Sequence, residues 1–329
     1  MTTRPGVGLV LGSAIAPEDI RTAAATAEAS GFDEIWLAED FFFTGGISGA
    51  GLVLGATSEI KVGLGVVSAV ARHPALLAME ISTLSRVYDQ RLIAGVGLGV
   101  PAWVRQMGLH PRSPLAALRE CVTSVKSLLQ GDTVDSHGEV YDFNNVKLTY
   151  PETGPPTPIR MGVSGPNMLQ LSGEVADGSV LSVAAGLDYI RWARERIDEG
   201  RSRGARTDDH PMTVFALYAV DDDGDAARAS ARETLAFYRQ NGPNGLTDVY
   251  GISDELSALI AKGGYEALVA GMPDQWIEDL TISGTAEECA AKIASFHDAG
   301  ADSVALFPIA TDRLESIIGK TADSVLPSL

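Results

Sequence analysis

Basic residues are scarce in this chain. Across 329 residues, 25 lysines and arginines stand against 43 aspartates and glutamates, a formal net charge of −18. A surface this acidic repels polyanions, so nucleic-acid binding and docking on anionic membranes, which need basic patches, are not expected. Cysteine is scarcer still. Cys121 and Cys289 lie far apart and outside any metal or redox spacing, so they read as reduced core thiols. The five histidines form no HExxH-type ligand pattern, and no metal is expected. No apolar run reaches transmembrane length and no charged-then-apolar leader opens the chain, so a cytoplasmic location is expected. Nor does any unit of about 20–50 residues repeat, which removes solenoids and propellers.

What the chain does contain is short apolar runs alternating with helical spacing. Runs at residues 6–12, 32–38, 60–67, 91–99, 158–163, 179–183, 212–220 and 303–307 read as strands. Helical patterns occupy 17–30, 49–58, 74–87, 113–129, the stretch after 166, 189–203, 226–240 and 285–300, with a last one from 313. Gly31 suits a helix C-terminus, and Thr285 with Glu288 has capping-box spacing. Eight strands alternating with helices predict an α/β fold, the (β/α)8 TIM barrel. A doubly wound sheet would carry a GxGxxG turn after its first strand, and residues 6–12 have none. Two stretches, at about 132–157 and 241–283, lose the pattern and read as insertions on a single domain spanning residues 1–329.

Active residues of such barrels come from the C-terminal ends of strands. Glu39 and Asp40 end the second strand, followed by Phe41, Phe42 and Phe43, which with Trp103 either wall an apolar pocket or pack the core. Gly95, Gly97 and Gly99 alternate along the fourth strand and share one face. Their missing side chains either let a planar ring approach the backbone or ease packing in the barrel. The fifth strand runs into Ser164-Gly165-Pro166 and then a helix. Pro166 suits the first helical position, and the amides before it sit at the positive end of the helix, a ready anion site.

Five stretches now carry a family resemblance in order. They are GFDEIWLAED (31–40), KVGLGV followed by RHP (61–74), RLIAGVGLG (91–99), MGVSGPNMLQLSGEVADG (161–178), and SGTAEECAAKI with AGADSVALFP (283–308). Together they resemble the bacterial-luciferase-like flavin and deazaflavin oxidoreductases over nearly the whole chain. The 161–178 stretch most resembles the coenzyme F420 branch, that of methylenetetrahydromethanopterin reductase. The resemblance implies a cofactor ring in the barrel mouth, against the ends of strands two, three and four. It implies a cis peptide at Gly65-Val66 forming a bulge under the ring, with Gly97, Leu98 and Gly99 alongside. The cofactor phosphate falls at Gly162, Val163, Ser164, Gly165 and Pro166.

Departures from the family pattern matter as much. Relatives often carry a histidine where this chain has Asp40. A carboxylate there accepts a hydrogen bond or, when protonated, donates one; it could equally be a solvated loop acid. Sugar-phosphate dehydrogenases of the family carry a glutamate where Val100 stands, which argues against that substrate. His73 opens a helix and reads as structural. The function implied is hydride transfer between F420 and a small organic substrate, with Asp40 and Glu39 as candidate catalytic residues and a homodimer as the assembly. Two alternatives stand beside it: an FMN-dependent monooxygenase whose phosphate is clamped by Arg105 or Arg160, and a non-catalytic flavin- or deazaflavin-binding protein. The 162–166 turn holds no cation, which favours the phosphodiester of the deazaflavin over the phosphomonoester of FMN.

Overall fold

Continuous apolar runs become strands buried on both faces, as parallel sheets require. The computed structural model describes residues 6–329. In it, eight strands close on themselves: β1 (Gly6–Leu11), β2 (Glu34–Leu37), β3 (Lys61–Leu64), β4 (Leu92–Gly97), β5 (Ile159–Gly162), β6 (Gly178–Leu181), β7 (Met212–Val220) and β8 (Ser303–Pro308). Each pairs in parallel with its neighbours, and β1 pairs with both β2 and β8, so the barrel is shut. The eight expected strands are these eight. Helices α1 (Ile20–Ala29), α2 (Gly46–Ala56), α3 (Pro74–Val87), α4 (Pro114–Leu129), α5 (Pro166–Val175) and α6 (Leu187–Arg203) follow β1 to β6 in turn, α7 (Gly224–Arg239) and α8 (Ala286–Asp298) both lie between β7 and β8, and a last helix, Leu314–Lys320, comes after β8.

Helix α2 starts at Gly46, three residues before the position expected from its spacing. The reason is non-local: the Gly46 N–H donates to Glu39 Oε2 at 3.1 Å, a cap supplied by the end of β2. Helices α5 and α6 touch backbone to backbone. A Cβ on Gly173 would lie 2.0 Å from the Ile197 carbonyl oxygen, and one on Gly200 1.8 Å from that of Gln170. This close seam fixes the axis of α5, and with it the helix N-terminus that follows β5.

The barrel interior is filled by a few large side chains set against glycines. Trp36 crosses it, and a Cβ on Gly63 would lie 2.2 Å from the Trp36 ring. Phe215 meets Trp36 edge-on, with centroids 5.5 Å apart. Towards the N-terminal ends of the strands, the Trp36 indole N–H donates to Glu34 Oε2 at 2.8 Å, and Ser303 donates to the same oxygen at 3.1 Å. These contacts make the bottom of the barrel a packed polar layer.

His210 also lies low, just before β7, with its Nε2 2.9 Å from the Ser179 hydroxyl and its Nδ1 buried without a partner. Burial first, then Arg201, Arg194 and Arg206, push its pKa down to about 3, against a smaller opposing effect of Asp177. The folded state therefore refuses a proton that the unfolded state takes up near pH 6.5. Stability is full above that pH and falls as pH drops towards 3, by up to about 1.4 kcal/mol per unit. Urea unfolding of the wild type should lose about 2 kcal/mol more between pH 7 and pH 5 than His210→Gln does. Equal losses would show that His210 takes no part.

The two insertions differ in character. Residues 132–157 form an antiparallel hairpin (Val134–His137 with Asp142–Val146) whose Tyr141 hydroxyl donates to the Ala69 carbonyl at 2.6 Å. Residues 241–283, expected to be irregular with short helical pieces, are largely helical. They contain Gly245–Val249, Ser253–Gly271 and Asp274–Leu280, then a strand, Ile282–Gly284, that adds to β7. Non-helical backbone at Gly263 and Gly264 splits the long helix.

Candidate active site

At the top of β3 the chain does not stop pairing. Gly65-Val66 is a cis peptide, and the strand resumes as Val67–Ser68, still paired with Val96 and Gly97 of β4. The Ser68 hydroxyl donates to the Leu98 carbonyl at 2.8 Å, and the Ala69 N–H to that of Gly97 at 2.8 Å. Gly99 follows with φ of +83°, against Phe41, Val104 and Ser68.

The alternating glycines of β4 have a different use from an open face for a ring. A Cβ on Gly97 would lie 2.6 Å from Val66 Cγ2, and one on Gly95 1.9 Å from the Leu64 carbonyl oxygen. A Cβ on Gly162, on the neighbouring strand β5, would lie 2.7 Å from Val66 Cγ1. The Val66 side chain thus sits in a groove made by Gly97 and Gly162, with Phe215 under Gly65. Any ligand in the mouth meets the bulge, and the glycines act beneath it.

Glu39 and Asp40 leave β2 with separate environments. Glu39 Oε2 accepts from Arg72 Nη2 at 3.0 Å as well as from Gly46, while Glu39 Oε1 and Arg72 Nη1 are buried without partners. Val67 lies against the same spot, so this ion pair braces the flank of the bulge. Asp40 is half-buried and accepts from the Ser13 hydroxyl. Tyr238, at the end of α7, has its phenol pushed up to about 12 by burial and by the Asp40 charge, and its ring meets Phe307 edge-on. Asp40 therefore sits in a polar corner of Ser13 and Tyr238, beside the tops of β1 and β8. His73 caps α3, its Nδ1 accepting from the Ala75 N–H at 3.2 Å, which agrees with a structural reading. Phe41 is buried, whereas Phe42 and Phe43 are exposed, Phe43 beside Trp103 at the rim.

The turn after β5 leaves backbone amides free over part of the 162–166 stretch. The Val163 N–H is already bonded to the Val180 carbonyl at 3.3 Å. Among the described residues, the N–H groups of Ser164 and Gly165 have no partner, and the first amides of α5 beyond Pro166 add to them. Nothing lies within 4 Å of where a Gly165 Cβ would point. The Tyr189 hydroxyl donates to the Ser164 carbonyl at 2.5 Å and steadies the turn.

Arg160 is corrected by the structure. It does share a strand face with Gly162, but that face is the barrel interior. Its guanidinium donates to Thr213 and lies 5.7 Å over the Trp36 ring. Burial lowers its pKa, opposed by Glu34 and Asp302. Arg160 belongs to the bottom layer and clamps no phosphate. Arg105 is exposed on the short helix Pro101–Gln106.

The basic residue missed from sequence is Arg239, the last residue of α7. It is 5% exposed, with Nε and Nη1 buried and unpartnered, and it interacts electrostatically with Tyr189. A signal was present. Ala227, Ala231, Leu235, Ala236 and Arg239 all lie on the buried helical stripe, so spacing alone puts a cation on an apolar face. Among the described residues, no group of three or more His, Cys, Asp and Glu is placed to hold a metal ion. Nor, among the described residues, is any helix long and apolar enough to cross a membrane.

The structure is thus a closed (β/α)8 barrel with a bulge at the top of β3 and free backbone amides at the helix N-terminus after β5. The chain belongs to the luciferase-like monooxygenase family, whose model matches residues 1–303. It is 31% identical over 315 residues to 5,10-methylenetetrahydromethanopterin reductase of Archaeoglobus fulgidus, covering 92% of this chain and 93% of that one. It is 25% identical to the F420-dependent glucose-6-phosphate dehydrogenase of Kineococcus radiotolerans, over 94% and 93% of the two chains. The fold matches that of the coenzyme F420-dependent tetrahydromethanopterin reductase from Methanopyrus kandleri, with a TM-score of 0.86, 24% identity and 99% of each chain covered.

Proposed function

We propose that this protein is an oxidoreductase that transfers a hydride between coenzyme F420 and a small organic substrate. The observation that carries the reading is the pairing of the Val66 bulge in the mouth with the open Ser164–Gly165 cradle: one can support a ring, the other an anion. The names of the relatives favour F420 over FMN. When bound, the deazaflavin would supply the hydride chemistry itself, and the protein supplies binding, orientation and shielding. Gly65, Val66, Gly97, Leu98 and Gly99 form the bulge and its support, Gly162 seats Val66 from β5, and Ser164, Gly165 and the first amides of α5 hold the phosphate, with Val163 and Pro166 framing the turn. Asp40 faces the substrate as hydrogen-bond partner or acid, while Glu39, tied to Arg72, is a positioning residue for the bulge.

Val100, where sugar-phosphate dehydrogenases carry a glutamate, is exposed and precedes a helix, which supports a substrate other than a sugar phosphate. We further propose a single-domain cytoplasmic enzyme, acting on a small molecule and not on nucleic acid, and assembled as a homodimer. Exposed Leu52, Leu76 and Met79, on the neighbouring helices α2 and α3, support that last point.

The deciding experiment is a fluorescence titration of the purified protein with F420 and with FMN. It is followed by anaerobic mixing of reduced F420 with a panel of small carbonyl and imine acceptors while the deazaflavin absorbance is watched. Saturable F420 binding and acceptor-dependent return of the oxidised absorbance are expected. Tight FMN binding with no response to F420 would reverse the reading.

A further inference from the structure

Arg239 stands outside everything assigned above. An arginine keeps its charge in proteins, and a buried charge without a counter-ion is costly. Its side chain is buried, two of its nitrogens have no partner among the described residues, and the group opposing its desolvation is the Tyr189 phenol. That phenol cannot serve as a counter-ion near neutral pH, because burial holds its acidity well below the ordinary value. The phenol is, however, bonded to the Ser164 carbonyl of the cradle. The chain just past Arg239 also reaches the N-terminus of the ten-residue helix α5, where the unpartnered amides gather: the Gly242 N–H donates to the Arg239 carbonyl at 3.1 Å, and a Cβ on Gly245 would lie 3.6 Å from the Ser164 carbonyl oxygen. Two independent features, a helix N-terminus and a buried guanidinium, both favour an anion at this place.

We propose that Arg239 is the counter-ion of the cofactor phosphate, brought to the Ser164–Pro166 cradle by the end of α7 and the turn that follows it. The inference rests on the proposed cofactor reading. It also changes one argument for that reading: the turn itself lacks a cation, but α7 brings one to it. Absence of charge in the turn thus no longer separates a phosphodiester from a phosphomonoester, and the preference for F420 rests on the relatives.

The test compares F420 with its phosphate-free chromophore by fluorescence titration, in wild type, Arg239→Met and Arg239→Lys. Arg239→Met should weaken F420 binding about tenfold or more, because the phosphate loses a buried charged partner. The phosphate-free chromophore should bind within about twofold of wild type. Arg239→Met should also raise the melting temperature of the cofactor-free protein, since an apolar side chain replaces an uncompensated charge. Arg239→Lys keeps the charge and should retain most of the affinity. Unchanged F420 binding in Arg239→Met, or equal weakening of both ligands, would overturn the assignment. Should Arg239→Met fail to fold, Arg239→Gln carries the same comparison. If the wild type ignores F420 and takes FMN, the cofactor reading fails by itself, and FMN against riboflavin then decides the role of Arg239.

Discussion

Gly165→Asp is expected to abolish F420 binding without harming the fold. Gly165 is the N-cap of α5, with φ of −90° and ψ of 159°, an extended conformation open to any residue. A side chain there enters empty space. Aspartate is, moreover, among the best N-cap residues and should stabilise the helix by up to about 1 kcal/mol. The carboxylate would take the amides that the phosphate needs and add like charge beside it. A loss of roughly 3 kcal/mol, more than about a hundredfold in affinity, is expected. Gly165→Asn, with the same shape and no charge, should lose far less. The melting temperature of the cofactor-free protein should hold or rise in both variants. An aspartate variant that binds F420 like the wild type would mean that the phosphate lies elsewhere.

The strands were legible because each is buried on both faces, so it appears as a plain apolar run whatever its partners. The strand-to-helix turn after β5 was legible for a similar reason, since a strand end, two small residues and Pro166 adjoin in sequence. Residues whose role depends on depth in the barrel were not. Arg160 and Gly162 share a face by alternation, but alternation does not say that Arg160 reaches Thr213 near the bottom while Gly162 lies near the mouth. The β4 glycines were visible as a pattern, yet the occupant of their groove, Val66, comes from another strand. Helix α2 begins early because Glu39 caps it from a distance, which local spacing cannot encode. Arg239 could have been found, since a cation on an apolar helical stripe calls for a partner, but its nearness to Ser164 depends on how α7 and Tyr189 pack.

The contact between Val66 and its glycine groove yields the second large effect. In Gly97→Ala, the new Cβ would fall 2.6 Å from Val66 Cγ2 and 3.1 Å from the Gly162 carbonyl oxygen, so the bulge must shift. Overpacking of this kind costs about 1–3 kcal/mol of stability. The effect on turnover should be larger, because a displacement near 1 Å at a positioning surface can cost about a hundredfold. Val66→Ala removes both γ-carbons and leaves a small void, with a loss of about 2 kcal/mol. Combined, the two changes should interact favourably, because the added methyl enters the space that the valine gives up. The double variant should be more stable than the sum of the singles by about 1 kcal/mol or more, and should regain much of the lost turnover. Gly95→Ala is the control. Its Cβ would meet the Leu64 carbonyl oxygen at 1.9 Å, a backbone atom that truncating Val66 cannot move aside. Val66→Ala should therefore leave the Gly95→Ala defect uncorrected. If Gly97→Ala and Val66→Ala simply add, in denaturant unfolding and in turnover alike, the bulge is not seated by the glycines of β4.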